Sequence, residues 1–126
     1  MLYNNLYTCI NDLAAQNTYT CTLLVNANHD IFKGHFPAQP VVPGVCMMEI
    51  VKEMLAHNIS RKIVLTSAPV VKFMMLIQPD TKPILTINWT EQNDEFKCDA
   101  VFKYGDSVLF KMSAVYNTNH NYRPIT

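Results

Sequence analysis

The sequence predicts an α+β fold in which a curved antiparallel sheet wraps one long central helix, and three observations carry that prediction. Residues 45 to 58 contain no helix breaker, which allows about four helical turns. At about 100° per residue, Met47, Met48, Ile50, Val51, Met54 and Leu55 fall in one broad arc, with Lys52, Glu53 and His57 on the other side near Glu49. From residue 63 onward the chain changes character and reads as successive strands, separated by the hairpin connectors Asn93-Asp94 and Gly105-Asp106. A helix this apolar must be covered, and the strands are what the chain has to cover it.

The 126 residues suffice for a single domain, 1–126, with a real core. Hydrophobic residues make up 49% and charged residues 16%, so more apolar surface is expected than solubility needs, part of it against another subunit. A formal net charge of zero without any basic run excludes the electrostatic footprint of a nucleic-acid binder. Cys9, Cys21, Cys46 and Cys98 show neither a C-x-x-C pair nor zinc spacing, so reduced structural thiols and no metal are expected. Cys46, near the helix start, reads as a small buried hydrophobe rather than a thiolate. The stretch from Met1 to Tyr7 lacks a basic start with an apolar core, and no apolar run approaches about 18 residues. A cytoplasmic protein, neither secreted nor membrane-spanning, is the expectation.

In chain order, Leu2, Leu6, Cys9, Ile10 and Leu13 recur at three- and four-residue spacings, which predicts a short amphipathic helix over residues 1 to 15, packed on an edge. Thr18 to Asn26 is rich in Thr, Tyr, Leu and Val and predicts a strand. Asn28 to Asp30 turns the chain, with His29 a turn residue. Three prolines between residues 37 and 43 make the next segment a stiff loop poor in hydrogen bonds. Asn58 is the expected end of the helix. Ile63 to Thr66 and Val70 to Ile77 are two short strands or one bent strand, interrupted by Ser67-Ala68-Pro69. Ile84 to Thr90, Phe96 to Tyr104 and Val108 to Asn117 complete a meander, and residues 118 to 126 form a polar tail. His57 and His120 read as surface residues.

Glu49 is the only ionisable residue in the first half of the helix, and Val45, Cys46 and Met48 make its surroundings apolar nearly all round. Burial there favours the neutral acid. His35 lies 14 positions earlier, beyond the proline bracket. This stretch, Gly34-His35-Phe36-Pro37-Ala38-Gln39-Pro40-Val41-Val42-Pro43-Gly44 followed by a helix with Glu49, resembles the 3-hydroxyacyl-acyl-carrier-protein dehydratases of the hotdog fold (FabZ type). Their signature is a Gly-His-Phe-Pro-Gly-x-Pro-x-x-Pro-Gly loop running into a helix that carries Glu or Asp. The resemblance covers about residues 18 to 117 and is dense over 29 to 50. It extends to Val71-Lys72-Phe73 and Pro79, with Asp80 in place of the family's Gly. Ala38 stands where Gly is usual and Val42 where Met is common, which leaves the chemistry intact but puts chain-length preference in doubt.

The resemblance implies a hotdog fold and a homodimer with two sheets joined edge to edge, with further assembly into a trimer of dimers left open. It also implies (3R)-3-hydroxyacyl-acyl-carrier-protein dehydration to the trans-2-enoyl thioester, in fatty-acid synthesis or, since the chain is short at its N-terminus, a specialised route such as a polyene pathway. Dehydration needs a base for the proton beside the carbonyl and an acid for the departing hydroxyl. His35 is assigned the first role and Glu49 the second, the two coming from different subunits. Gly44, at the helix start, offers a backbone N–H to the thioester oxygen, and Phe36, Pro43 and Val45 frame the substrate. No cofactor is implied beyond the phosphopantetheine arm of the acyl carrier protein, the expected partner. Lys33, Arg61, Lys62 and Lys72 could form a basic rim for that acidic protein, or be ordinary solvated side chains. Met47, Met48, Met54, Met74 and Met75 could line an acyl channel, although Met at helical spacing equally fills a core. A hotdog thioesterase and a non-catalytic acyl-binding subunit are the competing readings.

Overall fold

The structure, a computed structural model, describes residues 1–33 and 40–118. Its elements are β1 (Tyr7–Ala15), β2 (Thr18–Val25), a 3-10 turn (Asp30–Phe32), α1 (Gly44–Ile59), β3 (Ile63–Phe73), β4 (Ile84–Gln92), β5 (Glu95–Tyr104) and β6 (Ser107–Thr118). The strands form one antiparallel sheet in the order β1-β2-β4-β5-β6-β3. The chain therefore passes from β2, near one edge, through the helix to β3 at the opposite edge.

The core lies between α1 and one face of the sheet. From the helix it takes Cys46, Met47, Ile50, Val51, Met54 and Leu55. Met48 is only half-buried, so the buried arc is rotated slightly from the predicted one, with Cys46 in its place. The strands contribute every second residue: Phe96, Cys98, Ala100 and Phe102 from β5, and Phe110, Met112, Ala114 and Tyr116 from β6. Register pairs Phe96 with Tyr116, Cys98 with Ala114 and Phe102 with Phe110. Cys98, Ala100 and Ala114, with Met112 the one longer side chain among them, thus occupy the middle of these two strands and aromatic rings their ends, which leaves a trough for a helix. Among the described residues no charged side chain is buried, the polar atoms of the core being those of Tyr and Cys, and no helix is long and apolar enough to cross a membrane.

The predicted N-terminal helix is instead a strand. Tyr7–Ala15 pairs with β2 through a tight turn at Asn17, which adopts φ 61°. Its ladder breaks between Ile10 and Leu13, where Asn11 takes φ 53°. The three- and four-residue spacing read as helical spans the turn before the strand, which holds Leu2 and Leu6, and the bulge, which adds one residue to a period of two before Leu13. The expected edge position is correct, since β1 is the outermost strand.

Two further boundaries shift. β3 is one strand that crosses Ser67-Ala68-Pro69 by two register shifts, and Pro69 sits where no ladder partner is assigned to it. It stops at Phe73 rather than Ile77; beyond it the N–H groups of Met74 and Met75 both donate to the Leu109 carbonyl. The helix runs past Asn58, whose side chain donates to the Met54 carbonyl at 2.8 Å. Ser60 closes it in the left-handed conformation, φ 56°. Asp80, the departure from Pro-Gly, carries no strain: the left-handed residue of that turn is Lys82, φ 55°.

The buried acids give the fold a pH limit. Burial, with the charge of Asp99 second, pushes the Cys98 thiol up to about 12, and burial drives the hydroxyls of Tyr7 and Tyr116 above the usual phenol range. A raised native pKa holds its proton in the folded state, so its contribution is complete below the unfolded value. It fades as pH climbs past roughly 8.5 for a thiol and roughly 10 for a phenol. Urea midpoints should therefore drop sharply between about pH 7 and about pH 11. An unchanged midpoint would contradict the burial of these groups.

Candidate active site

The described part of the signature loop resumes at Pro40. Val42 is buried, and its N–H donates to the Ile77 carbonyl at 2.8 Å, which ties the loop to the segment after β3. Pro43 is the extended residue before the helix, and its carbonyl accepts from Cys46 and Met47 at 3.0 and 3.3 Å. Helix geometry leaves the N–H groups of Gly44 and Val45 without intrahelical acceptors, at the positive end of the dipole. The Phe73 ring lies directly over Gly44. A Cβ at Gly44 would collide with ring atom Cε1 and stand 2.7 Å from Cζ, so only glycine allows the ring this close to the helix start.

Pro43, Gly44 and Met47 form one wall of a groove of about 440 Å³, and Phe73, Met74 and Met75 are on the other. Of the five methionines predicted as acyl-channel lining, these three (Met47, Met74 and Met75) border an apolar groove. Met54 is instead in the core, with its Sδ 3.9 Å from Cys9 Sγ, and Met48 is half-buried on α1.

Glu49 borders a different groove, of about 470 Å³, together with Lys52, Glu53, His57 and Lys62. It is half-buried rather than enclosed, and Val45 is 74% exposed. The expected apolar surround of the first two turns is thus incomplete in a single chain, because one sheet covers only one side of the helix. The carboxylate is nonetheless close enough to act on its neighbours. Burial raises the Cys46 thiol and the charge of Glu49 raises it further. Burial, then Cys98, then Glu49 raise the Tyr116 hydroxyl. The buried, unreactive reading of Cys46 fits this setting.

One chain does not bring the predicted residues into a single slot. Gly44 and Pro43 face the first groove, Glu49 faces the second, which Met1, Ala56 and Ile63 also line, and Val45 points outward. His35 and Phe36, like Ala38, lie outside the described residues. Sequence reading missed Glu53: its carboxylate accepts from the N–H groups of Leu2 (2.8 Å) and Tyr3 (3.0 Å) and from the Tyr7 hydroxyl (2.9 Å). No local pattern signals such a clasp, since the partners are about fifty positions away and two are backbone. The proposed basic rim is also divided. Lys33 pairs with Asp30, and Arg61 pairs with Glu91 and Asp94 and stacks over Phe96. Lys62 borders the Glu49 groove and Lys72 is exposed on β3. His29 is the turn residue expected, its Nδ1 accepting from the Ile31 N–H at 3.0 Å.

A six-stranded antiparallel sheet around one helix, entered through this loop and bearing a half-buried glutamate, is the architecture of a hotdog dehydratase of the FabZ type. Within that class the match is narrower. The model of the ApeI-like dehydratase family matches residues 11–111, and the chain belongs to that family. The 3-hydroxyacyl-[acyl-carrier-protein] dehydratase FabZ of Rickettsia canadensis is 32% identical over 88 residues, 63% of this chain and 62% of that protein. The FabZ of Lactobacillus helveticus is 27% identical over 101 residues, 72% of this chain and 68% of its own. The chain thus spans about three-fifths of the Rickettsia relative. Among solved structures, the dehydratase heterocomplex ApeI:P from Xenorhabdus doucetiae superimposes with a TM-score of 0.74 at 25% identity, covering 88% of this chain and 97% of that one.

Proposed function

We propose that the chain dehydrates a (3R)-3-hydroxyacyl group, carried on the phosphopantetheine arm of an acyl carrier protein, to the trans-2-enoyl thioester. One observation carries the proposal: the family match spans a helix that presents Gly44 at its open N-terminus and Glu49 five residues later. His35 accepts the proton beside the carbonyl, the Gly44 N–H stabilises the charge developing on the thioester oxygen, and Glu49 protonates the hydroxyl that leaves as water. The Cα–H and Cβ–O bonds break, the electron pair of the first becomes the new C=C bond and the hydroxyl departs as water, so the elimination is redox-neutral overall and calls for no redox cofactor.

The separation of Gly44 and Glu49 into two grooves supports a site completed by a second copy. The free edge of β3 is where that copy would add. It carries Val64 and Leu65, 41% and 40% exposed, and leads to Phe73, Met74 and Met75, each more than half exposed. A purified chain that sediments as a dimer agrees with this reading. One that stays monomeric until a second dehydratase chain is added would replace the homodimer by a heterocomplex of the kind named for ApeI:P.

Product analysis on a series of 3-hydroxyacyl carrier-protein substrates tests the reaction. An enoyl group still in thioester linkage is the expected result, and the preferred substrate separates fatty-acid from specialised lipid synthesis. Release of the free acid would establish a thioesterase, and binding without turnover an acyl-binding subunit.

A further inference from the structure

The β1 bulge has a chemical companion on the neighbouring strand. Ile10 pairs with Thr22 and Leu13 with Thr20, so Asn11 and Asp12 together stand opposite Cys21. The thiol of Cys21 lies 3.0 Å from the Sγ of Cys9, across 12 positions of sequence. Cys9 pairs with Leu23, so its contact with Cys21 is a diagonal one across the same face of the sheet, and the bulge lies directly beside it. Met54 of α1 closes the far side, and Tyr19 donates its hydroxyl to Asp12 at 3.2 Å beside it.

The two thiols are unequal. Cys21 is buried at 1% exposure, whereas Cys9 is only half-buried on the outermost strand and is the more exposed of the two. Cys21 donates its S–H to the sulfur of Cys9. That bond is the main influence lowering the Cys9 pKa, and the same bond, followed by burial, raises that of Cys21. The outer sulfur is thus the better nucleophile and the inner one is placed to attack it in turn. Cys46 and Cys98 are buried elsewhere.

We propose that Cys9 and Cys21 are a redox-active pair that closes to an intramolecular disulfide by exchange with a small-molecule disulfide of the glutathione type. The Cys9 thiolate attacks one sulfur of the external disulfide, forming a mixed disulfide and expelling one thiolate, which takes up a proton. Cys21 then loses its proton and attacks the Cys9 sulfur, expelling the second thiol. The protein pair is oxidised by two electrons, and the external disulfide is reduced to two thiols. Neither sulfur borders the groove of Gly44 or that of Glu49, so the modification stands independently of the dehydration reaction.

The full-length protein, reduced and then exposed to oxidised glutathione, tests this by intact mass and peptide mapping. The expected product has lost two hydrogens, carries a Cys9–Cys21 link and returns to the reduced mass with dithiothreitol. Cys21→Ser should trap glutathione on Cys9, and Cys9→Ser should yield neither adduct nor link, both with unchanged far-ultraviolet circular dichroism. The wild-type map decides the matter even if a variant folds poorly. A stable glutathione adduct on wild-type Cys9, a link between other cysteines, or four thiols surviving excess oxidant would each overturn the proposal.

Discussion

Glu49→Gln and His35→Ala should each reduce the rate of 3-hydroxyacyl thioester dehydration by about 10²-fold or more. For Glu49 the reasoning starts from its position. It lies in the second turn of α1, half-buried, with Cys46 and Tyr116 nearby, and among the described residues its side chain makes no hydrogen bond that holds the helix or sheet together. Glutamine preserves its shape and removes the transferable proton, so the melting temperature should stay constant while turnover falls. A thermal midpoint that fell with the rate would instead assign Glu49 a structural role. Mixing the two variants separates a shared site from a self-contained one. If each site takes His35 from one subunit and Glu49 from the other, random reassortment restores about a quarter of wild-type activity. Two self-contained sites restore none.

Glu53→Ala is expected to be the most destabilising single change outside the apolar core, at roughly 3 kcal/mol, or a fall of about 10 °C in melting temperature. Its carboxylate gathers three donors from the segment before and within β1, and one of them, the Tyr7 hydroxyl, belongs to a residue only 1% exposed. Truncation strands that hydroxyl away from water and frees the two backbone N–H groups that pin the first residues to the helix. Glu53→Gln keeps one acceptor oxygen and should cost about half as much. Thermal unfolding followed by circular dichroism measures both; a shift of under about 2 °C for the alanine variant would show that the clasp is dispensable.

The features legible in the sequence were those whose signal is local and unbroken. Residues 45 to 58 lack a breaker and present one apolar stripe, and the helix is there, one residue longer at each end. The last three strands alternate cleanly between turn pairs, and Asn93 and Asp94 both adopt the left-handed conformation such a hairpin needs. Where the ladder of β1 carries an extra residue at Asn11 the signal failed, whereas the irregularity of β3 around Ser67 was legible from Ser67-Ala68-Pro69 and only its end was misplaced. Glu49 was legible as the one charge in an apolar half-helix. That it borders a groove distinct from that of Gly44 was not, because a helical wheel locates a residue on a face but not what covers the face. The clasp at Glu53 and the meeting of Cys9 with Cys21 depend on partners distant in sequence, which single-chain periodicity does not encode.

The order of the strands also bears on how the protein is made. β3 emerges from the ribosome directly after the helix, yet its ladder partner is β6, the last of the six strands to be synthesised. During the roughly thirty-five residues of elongation between them, an apolar ribbon must wait without a template, and loop closure on that scale slows its docking. The β1–β2 and β4–β5 hairpins can pair as they are made, but β3 cannot. Nascent polypeptides halted before β6 would carry an exposed strand and form natural clients for holding chaperones.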